Sequence, residues 1–141
     1  HIVQPDDYMR HAGVYKIAGP TEAKINALAT ERGIGFASTS LEACIARDDV
    51  DAVILSTPTQ MHADQAIACM DAGKHVLIEI PMADSLEDSM RVVNKHRETG
   101  LTCMAGQVRR FNPSHQWIKN KINLGELKLQ QMDAQSILRR D

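Results

Sequence analysis

Thr57-Pro58-Thr59-Gln60-Met61-His62, then a helix-length run from Ala63 to Asp71, then Ala72-Gly73-Lys74-His75-Val76-Leu77-Ile78-Glu79-Ile80-Pro81: the fold is decided in this stretch. It is preceded by the apolar run Ala52-Val53-Ile54-Leu55 and contains another, Val76-Leu77-Ile78. Continuous runs of this kind are expected of strands covered on both faces. Between them Ala63, Ala66, Ile67 and Met70 fall at helical spacing, with Thr59 as the cap and Gly73 as the left-handed stop. Strand, loop, helix, turn and strand in that order predict a right-handed βαβ unit with parallel strands. Its two loops lie at the carboxyl edge of the sheet, where open α/β folds bind their ligands.

Working outward, further strands are predicted at 14–18, 35–37 and 101–105, beside those at 52–56 and 75–79. Thr21 caps a helix presenting Ile25, Leu28 and Ala29, which Gly33 ends. Ser40 caps one that buries Leu41, Cys44 and Ile45. Ser85 with Asp88 is a capping-box variant opening a helix that carries Leu86, Met90 and Val93 and stops at Gly100. Asn112-Pro113 starts one more, cap then first-turn proline. The predicted fold is a Rossmann-like, doubly wound parallel sheet over 1–124. Residues 125–141 read as the start of a second, α+β domain, with a strand from Leu127 onward. The glycine-rich loop that joins a first strand to a first helix is not found, and His1 reads as a position inside that first helix. The chain therefore reads as truncated at both ends, its sheet lacking the first, central strand.

Bulk properties exclude several classes. The net charge of −2 supplies no basic field for nucleic acid or an anionic membrane, and 4% aromatic residues leave no stacking platform for single strands. No apolar run approaches the roughly 18 residues of a membrane-spanning helix. Cys44, Cys69 and Cys103 are odd in number and widely spaced, and read as small apolar residues of a reduced, cytoplasmic protein. The six histidines show no metal-ligand spacing.

Three loops carry candidate chemistry. After Thr57, the stiff Pro58 and a helix start at Thr59 offer unpaired N–H groups to an anion or a ribose. Taken alone the loop reads sooner as a plain strand-to-helix turn with Thr59 as its cap, and His62 as a first-turn histidine without a catalytic role. Glu79 can accept hydrogen bonds from a ribose diol, and the Ile80-Pro81 bond suits a tight cis turn; the alternative is a solvated strand-end acid. In Gly106-Gln107-Val108-Arg109-Arg110-Phe111-Asn112-Pro113-Ser114-His115, two adjacent guanidinium groups can grip a substrate carboxylate. The alternative pairs one arginine with a structural acid and leaves the other in water. His115, in the first turn of its helix, faces either the crevice or solvent.

Taken together, Thr-Pro-x-x-x-His, Ala-Gly-Lys-His-Val, Glu-x-Pro and Arg-Arg-Phe-Asn-Pro resemble the glucose-fructose oxidoreductase / inositol dehydrogenase (Gfo/Idh/MocA) family from Asp51 to His115. The composite is specific where each piece is weak. The resemblance implies a dinucleotide crevice lined by Thr57, Pro58 and His62, with Glu79 at the nicotinamide-side ribose and Ile80-Pro81 shaping the turn. It places Arg109, Asn112 and His115 on the substrate side, beside Arg110. Glu-Ile-Pro with Arg-Arg-Phe-Asn-Pro-Ser-His-Gln resembles the branch that oxidises polycarboxylated hemiacetals with NADP in lignin-aromatic catabolism. That branch implies a small anionic substrate, and family dimers imply a homo-oligomer at full length.

One position departs from the family. Ile80 stands where most members carry a lysine beside the reacting carbon, and an aliphatic side chain neither donates a proton nor stabilises an alkoxide. The resemblance puts the catalytic acid-base pair beyond Asp141. The loop Gly19-Pro20-Thr21-Glu22-Ala23-Lys24 has no strand-end acid for a 2′-hydroxyl. Thr21 and Lys24 can serve a 2′-phosphate, which favours NADP, with NAD open. Two other readings are kept: a sugar or inositol dehydrogenase, and a non-catalytic NAD(P)-binding regulatory protein.

Overall fold

A computed structural model describes residues 16–18, 21–128 and 130. The chain forms two compact units, one ending at Gly106 and one beginning at Gln107. In the first, β1 (Lys16–Ala18), α1 (Glu22–Arg32), β2 (Phe36–Ser38), α2 (Leu41–Ile45), β3 (Ala52–Leu55), α3 (Thr59–Asp71), β4 (His75–Ile78), α4 (Leu86–Thr99) and β5 (Cys103–Ala105) alternate. All pairings among the described strands are parallel. They form a β1-β2 pair and a separate sheet ordered β3-β4-β5. Strands alternating with helices and pairing in parallel are what the sequence reading predicts of a Rossmann-like fold. Of the strand expected at 14–18, residues 14 and 15 lie outside the described residues.

Local chemistry explains the boundaries. The Ser40 and Ser85 hydroxyls accept from the main-chain N–H of Ala43 and Asp88, at 3.1 and 3.0 Å. Each satisfies a donor that the first helical turn leaves without a carbonyl. Gly33 and Gly100 close α1 and α4 at φ of 64° and 68°, the left-handed region that glycine enters without steric cost. Two expected caps differ. Thr21 flanks α1 without a capping hydrogen bond, and Thr59 lies inside α3, whose cap position is Pro58. Pro58 has no side-chain acceptor, so its carbonyl takes the Met61 N–H instead.

The core lies on one side of the three-stranded sheet. Leu55, Val76 and Ile78 pack with Ala63, Ala66, Cys69 and Met70 of α3, Val92 of α4 and Ile45 of α2. The expectation that β3 is covered on both faces fails among the described residues. Ile54, Leu77 and Met104 stand in register across the other face, with Ile54 57% and Met104 50% exposed. Side chains alternate along a strand, so helices packed on one side bury only every second residue. Helix α4 also differs from expectation: Val92 is buried, whereas Leu86 is 80% exposed and Met90 lies open. Beside Val92, residues Asp88, Ser89, Val93, Lys95 and Thr99 are half-buried; Arg91 engages Asp88, Asp71 and Glu98 engage Lys95, and the Thr99 hydroxyl donates to the Lys95 carbonyl.

All three cysteines are free, Cys44 and Cys69 buried and Cys103 partly so. Burial pushes each thiol up, that of Cys69 to about 11.

The second unit opens with a 3₁₀ turn, Val108–Phe111, followed by α5 (Pro113–Asn123). The Asn112 side-chain oxygen accepts from the Ser114 N–H at 2.9 Å, as the cap-then-proline pattern predicts. Residues 127, 128 and 130 form no strand, and the rest of the strand expected there lies outside the described residues.

Candidate functional site

The carboxyl ends of β3 and β4 bring Thr57, Pro58, Ile80 and Pro81 to one edge of the sheet, exposed, with Glu79 half-buried among them. The strands stay paired to the rim: the Glu79 N–H donates to the Leu55 carbonyl at 2.9 Å. Past that bond the chains leave as two loops, and the Ile80-Pro81 peptide is cis, as the sequence reading expects. Thr59, the first residue of α3, is half-buried, and Met61 is exposed.

His62, which the resemblance puts in the crevice lining and the residues alone read as a first-turn histidine, is a buried residue of the first turn of α3. It is 2% exposed, with Nε2 at 2.7 Å from the Thr57 carbonyl oxygen and Nδ1 at 2.8 Å from that of Pro81. Its ring is spent on the two loops, so it shapes the edge through them and turns no free nitrogen outward. The Thr57 hydroxyl is engaged as well, donating to the Gln65 side-chain oxygen at 2.6 Å.

Glu79 is held close to the strand ends. Its Oε2 accepts from the Ile80 N–H at 3.3 Å, and a Cβ on Gly106 would lie 3.4 Å from that oxygen and 3.3 Å from the Ile78 carbonyl. The Gly106 N–H donates to the same Ile78 carbonyl at 2.7 Å. Glycine at the end of β5 therefore leaves the room in which the carboxylate sits. Sequence reading missed both Gln65 and Gly106. A glycine directly after a strand at the ligand-binding edge was the available signal for Gly106; Gln65 offered none, because its role depends on a hydroxyl two helical turns away.

Thr21 sits exposed at the start of α1, its hydroxyl not spent on a cap. In the second unit Arg109, Arg110, Asn112 and His115 come together around one turn, all exposed. His115 Nδ1 donates to the Arg109 carbonyl at 3.0 Å, and the Gln116 amide to the Arg110 carbonyl at 3.3 Å. The main chain of the turn is thus tied to α5. Among the described residues no group of three or more His, Cys, Asp or Glu side chains can hold a metal ion. No described helix is long and apolar enough to cross a membrane.

The first unit suits a dinucleotide in one respect that can be checked: a half-buried acid at a strand end faces a cradle that a Cβ would fill. A family model described as an oxidoreductase family with an NAD-binding Rossmann fold matches residues 4–107. The chain belongs to the Gfo/Idh/MocA oxidoreductase family. That match includes Thr57–Pro81 and Gly106 and stops before Arg109. The chain is 62% identical over 109 residues to a 4-carboxy-2-hydroxymuconate-6-semialdehyde dehydrogenase of Sphingobium sp. strain SYK-6, covering 77% of this chain and 35% of the relative. It is 34% identical over 111 residues to a scyllo-inositol 2-dehydrogenase (NAD(+)) of Bacillus subtilis, covering 79% and 32%. Among solved structures, a 3-ketoreductase from Actinomadura kijaniata in complex with TDP-benzene and NADP matches with a TM-score of 0.72 and 29% identity, over 79% of this chain and 35% of that one. This Gfo/Idh/MocA chain thus spans about a third of the length of the curated relatives it matches.

Proposed function

We propose that the full-length protein is an NAD(P)-dependent dehydrogenase that removes hydride from the hydroxyl-bearing carbon of a small, polycarboxylated hemiacetal, as in aromatic catabolism through protocatechuate 4,5-cleavage. The observation that carries the reaction class is the Glu79 carboxylate seated against Gly106 at the sheet edge where Thr57 and Pro58 also end. The 62% identity to a semialdehyde dehydrogenase supports the substrate class, and the Arg109-Arg110 pair suits its carboxylates.

In this reading Glu79 accepts hydrogen bonds from a ribose diol, and Thr57, Pro58, Thr59, Ile80 and Pro81 wall the crevice with His62 behind them. Thr21, with Lys24, meets a 2′-phosphate, which makes NADP the preferred cofactor over NAD. A bound nicotinamide supplies the hydride acceptor. Arg109, Arg110, Asn112 and His115 orient the anionic substrate. Ile80 cannot move a proton, so the base comes from the second domain, whose start we place at residue 125. The protein is proposed to be a cytoplasmic homo-oligomer.

A polyol dehydrogenase is the second reading, supported by the similarity to the inositol enzyme; the aliphatic Ile80 weighs against it. The test is turnover by the full-length protein with NADP and NAD on a hemiacetal polycarboxylate and on inositol. Reduction of NADP with the polycarboxylate alone is expected. Turnover of inositol alone would move the assignment to the second reading. Dinucleotide binding without turnover of either would leave a regulatory protein.

A further inference from the structure

Thr57 is exposed where β3 gives way to its loop, and α3 holds it at two points. Its main-chain carbonyl oxygen lies 2.7 Å from His62 Nε2, and its hydroxyl donates to Gln65 Oε1 at 2.6 Å. Little other freedom is left to the residue. Pro58 after it confines its main chain to extended conformations, and the branch at Cβ stiffens χ1. What remains is the rotation of the hydroxyl proton, and Gln65 settles it.

A hydroxyl has one hydrogen and two lone pairs, so what it offers a ligand depends on which of them a neighbour takes. A primary amide can meet it with either end. The oxygen end accepts the proton and leaves lone pairs for the ligand, whereas the nitrogen end would donate and leave the proton. The 2.6 Å separation belongs to an O–H···O bond and falls short of the roughly 2.7–3.2 Å of an N–H···O bond. Gln65 therefore meets Thr57 with its oxygen, from a half-buried position on the second turn of α3.

We propose that Gln65 is a positioning residue that fixes the Thr57 hydroxyl as an acceptor, so that the loop after β3 binds a hydroxyl or amide donor of the ligand. The Glu79 carboxylate, past the end of the neighbouring strand, is a second acceptor at this edge. An edge furnished with acceptors suits the hydroxyls of a ribose and opposes the oxygens of a phosphate, which only accept. Of the two occupants the loop could take, an anion or a ribose, the ribose is favoured. The Met61 N–H of the first helical turn points the same way, since the Pro58 carbonyl already takes it.

An acceptor at Thr57 deepens the dinucleotide reading and rests on it. The test titrates NADP and NAD into the full-length protein and a cycle of its variants. Gln65→Met keeps the side chain's length, removes its strong acceptor, and is expected to weaken affinity about three- to tenfold, the worth of one hydrogen bond. Thr57→Val should cost at least as much, and adding Gln65→Met to it should cost nothing further. Gln65→Glu keeps an acceptor at the same reach. Its charge shifts affinity on its own account, so the informative quantity is the ratio between Thr57 and Thr57→Val, which should stay as large as with glutamine. Gln65→Ala gives the same comparison if the methionine variant does not fold. An NADP analogue with acetylpyridine for nicotinamide lacks the amide donor. A preference for NADP over that analogue that vanishes in Gln65→Met would put the amide on Thr57, and a preference that persists would put a hydroxyl there. Additive losses from Gln65→Met and Thr57→Val, or a Gln65→Met protein that binds as the wild type does, would overturn the proposal and leave the dehydrogenase reading standing. If the wild-type protein bound neither NADP nor NAD, that reading would fall and take the role of Gln65 with it.

Discussion

Gly106 and Glu79 stand so close that a methyl group on the glycine would press against the carboxylate, with 3.4 Å from its Cβ to Oε2 and 3.3 Å to the Ile78 carbonyl oxygen. The Ile78 carbonyl cannot retreat freely, because it accepts the Gly106 N–H at 2.7 Å. The carboxylate is the softer neighbour and is the group that moves. Gly106→Ala is therefore expected to cost about 1 kcal/mol of stability, toward the low end for overpacking. It should also weaken dinucleotide binding by more than that loss explains. Denaturant unfolding beside a binding titration reads both. Full affinity in the alanine variant would show that Glu79 does not need its present seat.

A second expectation concerns what holds α3 to the sheet. Met70 is 1% exposed and packs in the cluster with Ala66, Cys69, Ile78 and Val92. Met70→Ala removes buried contacts and leaves a cavity, so a loss of about 2–5 kcal/mol is expected. Met70→Leu keeps the volume and should cost less than about 1.5 kcal/mol. Urea unfolding of the full-length protein and its two variants gives the comparison. Equal losses in the two would mean that packing is not what Met70 contributes.

How much of this was legible in the sequence depended on how local the deciding interaction is. Ser40, Ser85 and Asn112 were readable as caps because each side chain bonds to an N–H two or three residues on. The βαβ order and the carboxyl-edge loops were readable for a similar reason, since periodicity and glycine stops act within one element. The inward stripe of α4 was not. Leu86 and Met90 are the more apolar choice, yet Val92 is the residue that meets α3, and Arg91 and Lys95 bridge to Asp64 and Asp71. The role of His62 was equally hidden, because its second partner, Pro81, lies on the far side of a helix and a strand. Side chains whose partners come from another element are invisible to spacing.

Cys69 allows a test of burial by pH. Its thiol is pushed up to about 11 from the ordinary 9.0 by desolvation in the core. The native protein should resist thiolate-directed alkylation at this position near pH 8, and label it only on unfolding. The sign of the linkage follows. The folded state holds the proton more tightly than the unfolded state, so the contribution is complete below about pH 9 and is lost as pH rises toward about 11. At 1.36 kcal/mol per pH unit the whole loss is about 3 kcal/mol. Cys69→Ala should flatten that part of the stability profile, and a slope unchanged between pH 9 and 11 would count against so deep a burial.

The last expectation separates a cap from an ion pair on the same turn of α4. The Ser85 hydroxyl accepts the Asp88 N–H, and Arg91 reaches both Asp88 and Asp64 at 2.8 Å. The cap satisfies a main-chain donor, whereas the Arg91–Asp64 pair is solvated, with side-chain exposures of 48% and 75%. Ser85→Ala should therefore cost about 1 kcal/mol, and Asp64→Asn no more than a few tenths. The two also differ in pH response. Hydrogen bonds from Arg91, and then Ser85, hold the Asp88 carboxyl below its ordinary 3.8. Its contribution is present above about pH 4 and fades as the pH falls further, because the unfolded chain takes up the proton first. Arg91→Gln removes the larger of those two causes and should shrink this acid slope while leaving the Ser85 cap intact. Acid titrations of stability for wild type, Ser85→Ala and Arg91→Gln distinguish the contributions, and an acid slope larger in Arg91→Gln than in wild type would contradict this assignment.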